Sequence, residues 1–243
     1  MEPIVNFSAS AKKLPKPDVD YYGGKGAGLI RMASMGLPVP PGIIISTELC
    51  KLYQEQPDEV MEAVMLDVMA ALPALEKELG YMPLLSVRSG APVSMPGMMD
   101  TILNVGITPK TLPECRKKLG DRAALDSFRR LLQMMGETAF HIPSSRFEAV
   151  LSEAREAADV PTDADLDKIE LEAVIERYFN MYDKEGIEFP DTLEDQLKAC
   201  IKAVFDSWNN DRAKQYRQIE GIDDEMGTAV VIQTMVFGNL KRS

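Results

Sequence analysis

The chain has 243 residues, 45% of them hydrophobic and 27% charged, a balance that supports packed cores and excludes a disordered segment. Its formal net charge of −11 and pI near 4.7 exclude general nucleic-acid binding, which needs a basic surface, while leaving room for a local basic pocket. Cys50, Cys115 and Cys200 are widely spaced and His141 is the single histidine, so no metal-ligand cluster is expected. The opening Met1-Glu2-Pro3-Ile4 lacks a basic-then-apolar leader, and no run approaches the roughly 18 apolar residues of a membrane span, so a soluble, cytoplasmic protein is expected.

In chain order, Gly26 to Met35 reads as a helix that opens after a glycine pair. Leu37-Pro38-Val39-Pro40-Pro41-Gly42 is a rigid connection into the β-branched run Ile43 to Thr47, a short buried strand. Glu59 to Leu79 has helical periodicity through Val60, Val64, Val68 and Leu72, with Pro73 as a point of kinking. Leu84 to Arg88 is a second strand. The texture then becomes wholly helical, over Asp121 to Phe140, Arg146 to Ala158 and Leu166 to Asp183, with Asp163 and Asp165 as caps for the last. From Thr192 one amphipathic helix is expected to run to about Ile219, with Leu197, Ile201, Val204, Phe205 and Trp208 along one side. Thr228 to Phe237, after Gly227, is the longest β-like stretch. The pattern predicts an α+β fold. Residues 1–108 and 195–243 would form one discontinuous mixed α/β lobe, with an all-helical insert over 109–194.

Five segments could carry chemistry. In Gly23-Gly24-Lys25-Gly26-Ala27-Gly28, glycines permit close approach of backbone to a ligand, and Lys25 supplies a mobile charge for phosphate oxygens. A tight turn with a solvated lysine fits equally well. The run matches neither a Walker A loop nor a Rossmann fingerprint, since it precedes the strand. Ser86-Val87-Arg88-Ser89-Gly90 places an arginine at a strand end, suited to bidentate phosphate binding or to a salt bridge with Asp100, the commoner use. Met95, Met98 and Met99 flank a Pro-Gly turn, as core packing or as an adaptable wall for a purine ring. Arg129-Arg130 on a helix reads first as salt-bridging. Gln233-Thr234-Met235-Val236 reads as a buried strand whose end could pair with an adenine edge.

Together, three runs resemble signatures of the pyruvate phosphate dikinase family, in the family's order: GGKGAGLIRMASMGLPVPPG, SVRSGAPVSMPGMMDTILNVG, and AVFDSWNNDRAKQYR with GTAVVIQTMVFGN. The resemblance implies an ATP-grasp nucleotide domain of an enzyme that interconverts ATP, phosphate and pyruvate with AMP, pyrophosphate and phosphoenolpyruvate. It implies that Lys25 and Arg88 hold the triphosphate and that Arg130 also faces it. Gly97, Met98 and Met99 would cover the nucleotide, and Gln233, Met235 and Val236 would border the adenine. The family's magnesium carboxylates lie beyond the MVFGN strand, so only a partial ATP-grasp fold is expected, its second lobe missing. ATP and Mg2+ would then be cofactors of the complete enzyme, and the isolated chain would be inactive. Partners expected are a nucleotide and the remaining domains or another protein. With that lobe missing, the strand from Thr228 to Phe237 and its neighbours are expected to leave an apolar face or sheet edge uncovered, and a homo-oligomer is expected. The alternative is a naturally short binding module with the same scaffold.

Overall fold

The computed structural model describes residues 1–99 and 101–238. The chain divides into two units: Met1–Thr101 with Leu197–Val236, and Ile102–Gln196 with Phe237 and Gly238. The first unit contains β1 (Ile4–Phe7), α1 (Val19–Ser34), β2 (Gly42–Ile45), α2 (Thr47–Glu55), α3 (Pro57–Leu79) and β3 (Leu85–Gly90). From β4 (Thr101–Val105) the chain enters the second unit, with α4 (Leu112–Leu119), α5 (Asp121–Thr138), α6 (Ser144–Ala158) and α7 (Lys168–Lys184). It returns along α8 (Leu193–Ser207) to α9 (Asp211–Glu220) and β5 (Ala229–Thr234). Within the first unit the strand order is β1-β2-β5-β3. Among the described residues no helix is long and apolar enough to cross a membrane.

The sheet register explains where the core of the first unit lies. Val5 pairs with Ile44, Ile44 with Val231, and Val231 with Arg88. Antiparallel partners point to the same face, so these four residues form one cross-strand row. Val5, Ile44 and Val231 pack in a buried cluster with Tyr22, Leu29 and Ile30 of α1. The row therefore faces α1, and Arg88 is its charged member. The alternate residues Ile43, Ile45 and Ile232 are buried as well, which fits a sheet covered on both faces.

Several expected boundaries move. The helix expected from Gly26 begins at Val19, because the Asp18 side chain accepts from the amides of Asp20 and Tyr21 and caps an earlier turn. The single helix expected over 192–219 is two. Trp208 to Asn210 breaks it, and Asn210 caps the second piece by accepting from the amide of Ala213 at 2.7 Å. The apolar spacing continues across the break, which is why periodicity alone merged the two pieces. At α7 the cap is Asp167, in a reciprocal box with Glu170. Asp163 and Asp165 lie in the short 3-10 turn before it. Pro73 is accommodated inside α3. Finally, β5 lies between β2 and β3 and all six of its residues are buried. The strand itself therefore leaves no edge open.

The second unit is held by an aromatic cluster. Phe128, Phe179, Tyr182 and Phe189 meet with ring centroids 5.5 to 6.2 Å apart. The Tyr182 hydroxyl donates to the Leu132 carbonyl at 2.6 Å, so the burial of this tyrosine leaves no hydroxyl unpaired. His141 is exposed, with a left-handed backbone, at the turn after α5.

Candidate functional site

Lys25 is placed by a kink. Within α1, Gly23 leaves the helical region at φ 68°, ψ 165°. A Cβ built there would lie 1.6 Å from the Gly90 carbonyl oxygen, a distance only the absence of a side chain allows. The next amide, Gly24, donates to the Ala91 carbonyl at 3.0 Å. The glycine run is thus laid against the end of β3, and Lys25 Nζ donates to the Ser89 carbonyl at 2.8 Å. That end of the strand is fixed from the other side as well, where the Gly90 amide donates to Thr228 Oγ1 at 3.2 Å.

Arg88 adjoins Ser89 and faces the α1 side of the sheet, so the two cations share one neighbourhood. Their proximity is visible in the acidity of Lys25: desolvation lowers its pKa below the ordinary lysine value, and the charge of Arg88 lowers it further. Lys25 is nonetheless exposed along much of its length. The chain buries its stem and ammonium incompletely, and the ammonium rests on a carbonyl instead of a carboxylate. Among the described residues no carboxylate forms an ion pair with Arg88. Asp100, the partner considered from sequence, lies outside them. Two adjacent cations repel one another, and an anion between them would relieve that repulsion.

The remaining predicted residues fall into three places. Met95 is buried, the Met98 amide donates to its carbonyl at 3.2 Å, and Gly97 between them is exposed at φ 72°. Met98 and Met99 are half-buried, and Asn210 Nδ2 donates to the Met98 carbonyl at 3.1 Å. Gln233 pairs with Ser86, one same-face row from Arg88, or about 7 Å along the strand. Its side chain is occupied, with Nε2 donating to the Pro40 carbonyl at 2.9 Å. The amide of Met235 donates to the Leu84 carbonyl at 2.9 Å, and Val236 beyond it is 76% exposed. Arg130 belongs to the second unit. Its Nε lies 3.0 Å from Asp126 Oδ2, while buried Arg129 takes Oδ1 of the same carboxylate.

The structure therefore brings Lys25 and Arg88 together and sets Gln233 in the neighbouring row. Sequence reading missed Thr228 and Asn210. Asn209-Asn210 inside an expected helix interior was the available signal, since asparagine favours caps over helix interiors. Thr228 offered none, because its role depends on register. Among the described residues no group of three or more His, Cys, Asp or Glu side chains is placed to hold a metal ion. The described residues do not by themselves fit a magnesium ion.

A family model described as "Pyruvate phosphate dikinase, AMP/ATP-binding domain" matches residues 54–242. Pyruvate, phosphate dikinase 1, chloroplastic, of Arabidopsis thaliana is 45% identical over 98% of this chain and 25% of its own length. The chloroplastic pyruvate, phosphate dikinase of Mesembryanthemum crystallinum is 46% identical over 98% of this chain and 26% of its own. Pyruvate, phosphate dikinase 2 of Zea mays is 44% identical, over 98% and 28%. The chain thus spans about a quarter of the length of these relatives. With the family model covering well over half of its residues, the chain belongs to the pyruvate phosphate dikinase family, through that family's AMP/ATP-binding domain.

Proposed function

We propose that the first unit binds ATP, with Lys25 and Arg88 holding its phosphates as part of an ATP-grasp site. The observation that carries this reading is the adjacency of two cations at the end of β3, one of them with a depressed pKa and a carbonyl as its hydrogen-bond partner. A lysine contributes a point charge and an arginine a planar fork, and polyphosphate uses both. The Gly97-Met98-Met99 loop covers the nucleotide, its thioethers supplying an adaptable apolar wall. Gln233, Met235 and Val236 border the base at the end of β5. Arg130 already has Asp126 as its partner, and the proposed set does not require it. In phosphoryl transfer the two cations would neutralise charge developing on the transferred group, by electrostatics and positioning.

Calorimetric titration of the chain with ATP tests this. Affinity in the millimolar range, about 4 kcal/mol, is expected, falling about tenfold or more in Lys25→Ala and in Arg88→Ala. Unchanged affinity in both variants would remove the phosphate assignment.

A further inference from the structure

We infer that Asn210 is a positioning residue for the methionine loop, its side-chain amide fastening Met98 to the first turn of α9. The inference rests on the reading of Gly97 to Met99 as the cover of the nucleotide. Both ends of the Asn210 side chain are in use. Oδ1 accepts from the Ala213 amide at 2.7 Å, and Nδ2 donates to the Met98 carbonyl at 3.1 Å. A carbonyl can only accept and an amide N–H can only donate, so these two partners fix which way the side chain points. The two residues are 112 positions apart in the chain.

Among the described residues the loop has few other holds. Met95 is buried and receives the Met98 amide, while Pro96 and Gly97 are exposed. Asn210, in contrast, sits on a rigid turn. Trp208 and Arg217 are almost wholly buried and stacked, with the guanidinium carbon 4.2 Å from the ring centroid. Arg217 donates to the Trp208 carbonyl and, at 2.6 Å, to Asp224 Oδ1. Trp208 Nε1 donates to the Asp224 carbonyl at 2.9 Å, and Asn209 Nδ2 to Gln54 Oε1 at 2.6 Å. A stiff turn that grips a glycine-containing loop by one carbonyl sets where that loop rests. It lowers the ordering cost of closing the loop over a ligand.

Two substitutions separate the latch from the helix cap. Asn210→Asp keeps the capping acceptor and replaces the donor with an oxygen. Asn210→Ser caps comparably, is too short to reach Met98, and adds no charge that could itself repel ATP. In the full chain both should melt close to the parent. In both, amide hydrogen exchange across Gly97 to Met99 should quicken about tenfold, and ATP affinity should fall about three- to tenfold. Parent-like exchange across the loop in both variants overturns the latch. Quickened exchange with parent-like ATP affinity, under conditions where Lys25→Ala loses ATP, overturns the positioning role while leaving the nucleotide site intact. Failure of the parent to bind ATP overturns the nucleotide reading itself, and this role with it.

Discussion

Lys25 carries a proton that the fold holds less tightly than water does. Burial, and then the charge of Arg88, lower its pKa, so the unfolded chain binds that proton more strongly than the folded one. Stability therefore rises with pH through the alkaline window between the lowered value and the ordinary lysine value. A bound triphosphate acts in the opposite sense, favouring the ammonium and raising its pKa again. Proton uptake should then accompany ATP binding in this window, and ATP affinity should fall as pH rises through it. Calorimetry in buffers of different ionisation enthalpy reads the uptake directly. Lys25→Arg should abolish it, and a parent chain with no alkaline pH dependence would remove Lys25 from the site. The types of both cations, and the glycines beside one of them, were legible in the sequence. Their adjacency was expected only through the family resemblance, because it depends on Val231 pairing with Arg88 across 143 residues of chain, a register that no local pattern encodes.

At the scale of elements, the kink in α1 connects sequence to site. The glycine pair was expected to precede a helix; it lies within one, with the break at Gly23 forced by the approach of the Gly90 carbonyl. Gly23→Ala would introduce both a left-handed alanine and a clash with backbone, at a cost of about 2–4 kcal/mol. A lowered urea midpoint is the expected result, and a parent-like midpoint would show that the kink is not required. The strands at Ile43 and Leu85 were readable because β-branched and apolar runs bounded by Pro and Gly admit few other structures. Helix ends were less readable. Asp163, Asp165 and Asp167 are all competent caps by type, and the choice of Asp167 depended on Glu170 standing three residues on. The split between α8 and α9 was hidden because tertiary contacts of Trp208 and Arg217 stabilise a turn where the apolar spacing continues.

For the molecule as a whole, the mixed α/β architecture and the helical segments followed from changes in periodicity along the chain. The central position of β5 did not, since an apolar strand reads the same whether it lies at an edge or in the middle of a sheet. The chain spans about a quarter of the length of its dikinase relatives. We propose that these 243 residues bind nucleotide without turning it over on their own. Incubation with ATP and Mg2+, with or without pyruvate and phosphate, should yield no AMP above a protein-free control, and magnesium-dependent AMP formation would contradict this.

The adjacency of Lys25 and Arg88 is tested most directly by a double-mutant cycle, with ATP affinity measured for the parent, Lys25→Ala, Arg88→Ala and the double variant. If the two cations grip one polyphosphate, the double variant should lose markedly less than the sum of the single losses, with a coupling of about 0.5–3 kcal/mol. Strictly additive losses, or none, would place them in separate environments and contradict a shared phosphate site.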